Sequence, residues 1–266
     1  FFDSYGVLRN HRGLIPGVVE CVEGLRAAGK HIRVLTNNAA RSPQAASQRM
    51  KHYGLHGIPP EEIITSGATT RHFLEQKVRS GKVAYLGTEA SAEYIISAGL
   101  EAVPIAKVNF DHLEEIRGVA FLDDEGYDLN QDVDRVINLL RRCQVPVVVA
   151  NTDLLYPVTA NDVALATGSI ARLVEYVLGR RFVKFGKPAS QMFQMGLDSV
   201  VPFMPEVSPG DILMVGDTLH TDILGGNTYG LATALVLSGN TSPEGAETEI
   251  QSSGIIPDYI CTSIGE

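Results

Sequence analysis

The sequence predicts an α/β protein built on parallel sheets, and three observations carry that reading. Short β-branched runs alternate with amphipathic stretches along the whole chain. Several runs end in a polar or acidic residue: Phe1-Phe2-Asp3 before Gly6, Val34-Leu35-Thr36, and Met214-Val215-Gly216-Asp217. Buried parallel strands look like this where they deliver side chains to a crevice at their carboxyl ends. The chain has 266 residues, 44% of them apolar and 20% charged, enough for one large or two modest domains with a sizeable core.

The elements follow in order. Residues 18–30 are amphipathic and stop at Ala28-Gly29-Lys30. A β-branched strand covers 31–36, and a helix covers 42–53, opened by Ser42 as cap with Pro43 in its first turn. A short strand is expected at 62–66, a strand at 82–87 and a helix at 91–99. Strands at 118–123 and 146–150 flank a helix at 131–142. A helix at 168–178 closes on Gly179, 181–185 leads into Lys187, and 189–197 is helical. A buried strand at 211–215, a helical stretch at 225–229 and a last strand at 232–237 complete the pattern. There is no internal repeat and no low-complexity linker.

Composition narrows function. A net charge of −9 argues against nucleic acid, which needs a cationic surface to replace counterions. It also repels phosphate at long range, so any anion site must be local: a lysine, a metal, backbone N–H groups. Cys21, Cys143 and Cys261 form neither a disulfide framework nor a zinc spacing, and a reducing cytoplasm is expected. No apolar run approaches the roughly 18 residues that span a membrane. Phe1 lies inside an apparent strand, which predicts that further residues precede it and leaves a targeting peptide open.

Four separated fragments carry the chemistry: Asp3-Ser4-Tyr5-Gly6-Val7-Leu8, Leu35-Thr36-Asn37-Asn38, Phe185-Gly186-Lys187-Pro188, and Met214-Val215-Gly216-Asp217-Thr218-Leu219-His220-Thr221-Asp222. A strand-end carboxylate is well placed as a nucleophile, closely packed carboxylates suit Mg²⁺, and a lysine supplies a point charge. In this order the fragments resemble the four motifs of the haloacid dehalogenase (HAD) superfamily. Within it the chain resembles the NagD-like sugar and nitrophenyl phosphatases, which carry a large α/β cap between the second and third motifs.

The resemblance implies a Rossmann-like core at 1–80 and 180–266 and an inserted α/β cap at 81–179. It implies Asp3 as nucleophile, forming an aspartyl-phosphate that water hydrolyses, with Thr36 and Lys187 as catalytic partners. It assigns Mg²⁺ to Asp3, Asp217, Asp222 and the backbone carbonyl of Tyr5; a helix N-cap is the other reading of Asp222. Substrate contacts are expected from Asn37, Asn38, Arg41 and, in the cap turn Asn151-Thr152-Asp153, from Asn151 and Asp153. Asp123 sits in a cap strand-end pattern of the same class. The expected partner is a small phosphorylated metabolite; a homo-oligomer is compatible with the sequence.

Tyr5 departs from the family. Phosphatases of this superfamily place a second aspartate there, which protonates the leaving alcohol and then activates water. A tyrosine, with a reference pKa of about 10, is a poor base at neutral pH. The expectation is a slow phosphatase, one limited to good leaving groups, or one drawing its acid/base from elsewhere, such as His11 or His220. Two alternatives stay open: a phosphate-ester-binding or regulatory protein with weakened catalysis, and a metal-free 2-haloacid dehalogenase, whose first motif Asp-x-Tyr-Gly resembles. Three other signals are set aside. Gly24–Lys30 lacks the hydroxyl residue of a P-loop and precedes its strand; His52 and His56 flank a glycine; Asn240-Thr241-Ser242 spells a glycosylation acceptor without a secretory signal.

Overall fold

The structure is a computed structural model that describes residues 1–159 and 162–266. The chain forms two compact units. The first comprises Phe1–Thr36, Pro43–Ile64 and Lys187–Glu266; the second comprises Asn37–Ser42 and Thr65–Gly186.

In the first unit, Phe1-Phe2-Asp3 is the seam of the sheet. Phe2 bridges Val34 on one side and Val215 on the other, both in parallel. The Phe2 N–H donates to the Arg33 carbonyl at 2.8 Å, and the Asp3 N–H donates to the Val215 carbonyl at 2.9 Å. Outward on one side lie Val34–Thr36 and Ile63–Thr65. On the other, Leu213–Gly216, Ala232–Val236 and Tyr259–Cys261 pair in parallel. The seam therefore sets Asp3 level with the ends of two other strands, beside Thr36 and Asp217. One cluster buries Phe2, Val34 and Val215 with Val18 and Val22 of the helix Val18–Ala27. Another buries Phe1 and Leu35 with Met192 and Phe193 of the helix Ser190–Val200.

The second unit holds a parallel sheet of five strands, in the order Val183–Lys184, Val147–Val149, Ile116–Phe121, Lys82–Leu86 and Glu101–Pro104. The helix Leu129–Arg142 starts at Asp128, whose carboxylate accepts from the Gln131 N–H at 2.7 Å and the Asn130 N–H at 3.0 Å. Its Val136, Leu139 and Leu140 pack with Phe121, Val149 and Val174. The helix Thr167–Leu178 ends on Gly179 at φ 61°, the left-handed turn that glycine favours.

The predicted helices at 42–53 and 131–142 become Pro43–His52 and Leu129–Arg142. The units divide at 36/37, 42/43, 64/65 and 186/187, so the second unit takes in Asn37–Ser42 and extends beyond the 81–179 span expected for the insertion. The physical reason is Leu74 of the helix Ser66–Lys77, which packs with Val83 and Tyr85 of the second unit's sheet. Pattern reading passed over several short elements: the hairpin strands Arg9–Asn10 and Gly13–Leu14, the edge strand Glu101–Pro104, the hairpin Leu155–Pro157 with Val163–Leu165, and Tyr259–Cys261. Each is too short or too exposed to show an alternation of apolar residues. Among the described residues no helix is long and apolar enough to cross a membrane.

Phe121 is fully buried and its ring stacks on Phe182 with centroids 5.7 Å apart. Phe121→Ala is expected to destabilise the second unit by about 3–5 kcal/mol, read as a lower urea midpoint; a shift under about 1 kcal/mol would contradict this packing.

Candidate active site

Four of the predicted residues converge in the first unit on one buried ion cluster. Lys187, 1% exposed, places its Nζ 2.6 Å from Asp3 Oδ1 and 2.7 Å from Asp222 Oδ1. Asp3, Asp217 and Asp222 each offer a carboxylate oxygen, all within 4.8 Å of one another. Asp217 follows the strand Leu213–Gly216 directly, and Asp222 lies in the wide helical turn Leu219–Ile223. Asp222 Oδ2 accepts the Thr218 N–H at 3.1 Å, so the carboxylate does hold the start of this turn while its other oxygen faces Lys187.

The backbone is shaped for this crowding. A Cβ on Gly216 would sit 2.1 Å from Asp222 Cβ, and one on Gly6 would sit 2.0 Å from Asp217 Oδ2. Gly6 also has φ 86°, so an L side chain there would be strained as well as blocked.

The electrostatics follow from burial. Burial pulls the Lys187 ammonium down, but the paired Asp222 and Asp3 outweigh it and hold the pKa above the usual lysine range. Asp217 is pushed well up by burial, then by Asp3 and Asp222, against the opposing Asn240 N–H and Lys187. Asp222 is raised to about 7, mainly by burial, with Lys187 opposing.

Asp222 Oδ1, apart from its ion pair with Lys187, has no hydrogen-bond partner among the described residues. An oxygen-only donor set whose buried Asp222 Oδ1 has the Lys187 ammonium as its partner, with two further carboxylates within 4.8 Å, fits a hard divalent cation, and Mg²⁺ takes such ligands.

Thr36 is buried at the end of its strand. Tyr5 is half-buried, with the Arg9 guanidinium 5.1 Å from its ring centroid. Its hydroxyl pKa is raised, first by burial; Arg9 and a hydrogen bond from the His11 backbone pull the other way. The side chains of His11 and His220 are exposed.

The remaining predicted residues belong to the second unit. Asn37 is buried, and its Nδ2 donates to Asp153 Oδ1 at 2.8 Å and to Thr152 Oγ1 at 3.3 Å. Asn151 Oδ1 accepts the Asp153 N–H at 2.9 Å, closing the turn. Asn38 Oδ1 accepts the Ala40 N–H at 2.9 Å. Arg41 is exposed, and its carbonyl accepts the Tyr94 hydroxyl at 2.6 Å. Asn37, Asn151 and Asp153 thus form one cluster, while the Asn38 bond is local and Arg41 is tied to Tyr94 through its backbone. Asp123 accepts from Thr88 Oγ1 at 3.0 Å. Sequence reasoning passed over Ser66, whose Oγ donates to the Asn37 carbonyl at 2.8 Å. It also passed over Thr218 and Asn240 at Asp217.

Comparison with known proteins gives the class. The family model for haloacid dehalogenase-like hydrolases matches residues 1–101, and a second HAD-like hydrolase model matches 184–266. Mouse chronophin is 30% identical over 275 residues, covering 100% of this chain and 90% of that protein. A solved "possible sugar phosphatase" from Cytophaga hutchinsonii is 46% identical with a TM-score of 0.95, over 100% of this chain and 93% of that one. A glycerol phosphate phosphatase from Mycobacterium tuberculosis, solved in complex with magnesium, is 25% identical with a TM-score of 0.77, over 99% of this chain and 74% of that one. The chain belongs to the haloacid dehalogenase-like hydrolases. Within them it is a NagD-like phosphatase, a hydrolase acting on phosphate esters.

The raised carboxyls give a pH signature. Between an unfolded aspartate pKa of about 3.9 and the folded value of about 7 for Asp222, the folded state binds more protons. Stability therefore falls as pH rises through that window. With chelator, melting temperature is expected to drop from pH 5 to pH 8, less steeply in Asp217→Asn, and added Mg²⁺ is expected to stabilise more at pH 8. Equal slopes in wild type and Asp217→Asn would refute this account.

Proposed function

We propose that this phosphatase is a Mg²⁺-dependent phosphomonoesterase for a small phosphorylated metabolite, such as a sugar or polyol phosphate, working through an aspartyl-phosphate. The observation that carries the reading is the buried Lys187 bridging Asp3 and Asp222 beside Asp217. The names of the relatives favour a phosphoester over a carbon–halogen bond, and the Cytophaga and mycobacterial proteins support the substrate class.

In this mechanism an Asp3 carboxylate oxygen attacks phosphorus, and the bond to the leaving oxygen breaks with its electron pair. Water then attacks phosphorus, which releases phosphate and regenerates Asp3. Lys187 orients Asp3 and places positive charge beside the transferred group. The Thr36 hydroxyl and the Asn37 N–H would hold phosphoryl oxygens. Asp3, Asp217, Asp222 and the Tyr5 carbonyl would hold Mg²⁺, which when bound supplies charge neutralisation for those oxygens. We assign the inserted unit as the cap, with Asn37, Asn38, Arg41, Asn151 and Asp153 selecting the substrate.

Tyr5 leaves the leaving group without a carboxylic acid. A hydroxyl with a raised pKa neither takes a proton from water at neutral pH nor gives one up easily. Turnover of alkyl phosphates is therefore slow relative to aryl phosphates. This same feature favours the second reading, a phosphate-ester-binding protein with weakened catalysis.

Phosphate release from p-nitrophenyl phosphate and from a panel of sugar and polyol phosphates tests the proposal. Turnover should need Mg²⁺ and fall at least about 10³-fold in Asp3→Asn. Folded protein that binds phosphate esters and releases no phosphate would establish the second reading instead. Tyr5→Asp should raise alkyl-phosphate turnover by up to about 10²-fold; an unchanged rate would show that the missing carboxylate does not limit it.

A further inference from the structure

Nothing in this mechanism uses Thr218 or Asn240, yet both close around Asp217. Asp217 Oδ2 accepts the Asn240 N–H at 2.7 Å. The same oxygen is walled in by two glycines: a Cβ on Gly6 would lie 2.0 Å from it, and one on Gly239 would lie 1.9 Å away. The Thr241 N–H donates to the Asp217 carbonyl at 3.1 Å, and Ser238 Oγ donates to the Gly6 carbonyl at 2.7 Å. Loop and carboxylate are therefore fixed to each other through Oδ2.

Asp217 Oδ1 has a different partner. It accepts from Thr218 Oγ1 at 3.1 Å, and Thr218 Oγ1 in turn accepts from Asn240 Nδ2 at 2.9 Å. A hydroxyl carries a single proton. By donating to Thr218, the Asn240 amide leaves that proton for Asp217. The reverse amide orientation would draw the hydroxyl proton towards Asn240 and remove the donor from Oδ1.

We propose that Thr218 and Asn240 are positioning residues that act as a relay, committing Asp217 to present Oδ1 to Mg²⁺. The inference rests on the Mg²⁺ reading above. Without the relay the carboxylate keeps the Asn240 N–H on Oδ2, but Oδ1, crowded by Asp3 and Asp222, loses its hydroxyl donor and with it the second point that aims the oxygen. Residues that orient a metal ligand in this way typically account for about 10–100-fold in metal affinity.

Isothermal titration of the whole chain with MgCl₂ tests the relay without reference to turnover. Thr218→Val should weaken Mg²⁺ binding about 10-fold or more, and Thr218→Ser should restore most of it. Asn240→Ala removes only an exposed amide and keeps the backbone N–H, so it should fold and lose affinity by a smaller factor. The double variant should bind no more weakly than Thr218→Val alone, because the amide acts through the hydroxyl. Wild-type affinity in Thr218→Val, or additive losses in the double variant, would overturn the relay and leave the Mg²⁺ site standing. Binding that survives Asp217→Asn, or a wild type that binds no Mg²⁺, would overturn the Mg²⁺ reading and the relay with it.

Discussion

The site depends on one buried charge, the Lys187 ammonium. An unpaired ammonium at this depth would be neutral or would destabilise the fold by several kcal/mol. Asp3 and Asp222 reverse that, holding the lysine charged at every working pH. Three carboxylates and one ammonium leave the cluster formally at −3 + 1 = −2. Burial first, and the neighbouring carboxylates second, displace Asp217 and Asp222 upward. On the proposed Mg²⁺ reading a dication would offset the cluster's charge, in a chain whose net charge of −9 offers no long-range attraction for phosphate. Attraction for an anionic substrate must come from the lysine, the cation and the backbone amides.

The topology that assembles these charges is economical. The segment Phe1–Asp3 contributes main-chain hydrogen bonds to both neighbours. Any slip in that pairing would carry Asp3 away from Lys187. Glycines do the rest: Gly6 and Gly216 bring backbone against the carboxylates of Asp217 and Asp222, where any side chain would collide. Here the absence of a side chain is what allows acids to approach each other closely.

Strand ends and their carboxylates were legible in the sequence as positions, and the order of the four motifs, rather than any single run, gave them a shared role. Asp3, Asp217, Asp222 and Lys187 were readable on those grounds and by motif order. The Thr218–Asn240 pair was not. Its two residues are 22 positions apart and meet only because the strands Leu213–Gly216 and Ala232–Val236 are neighbours. In sequence Asn240 looks like one more turn residue within a glycosylation acceptor. The helix Ser66–Lys77 was missed outright: its polar run Ser66-Gly67-Ala68-Thr69-Thr70-Arg71-His72 shows no apolar period, although Leu74 packs against the second sheet.

Tyr5 is where sequence and structure inform each other most. In sequence it reads as a lost carboxylate. In the structure its ring lies against the Arg9 guanidinium and its hydroxyl is bonded to the His11 backbone, so the side chain serves the Arg9–Leu14 hairpin. A residue held this way can still lend its main-chain carbonyl to a cation, because that group is independent of the side chain. What it cannot do is shuttle a proton near neutral pH, since a tyrosine's pKa of about 10 is already far from that range and burial raises it further. The position thus separates two functions that a second aspartate would combine, keeping the backbone contribution and giving up the acid. In the proposed mechanism, stabilisation of charge on the transferred phosphoryl group is then the main remaining source of rate enhancement, and it falls to the Lys187 cluster.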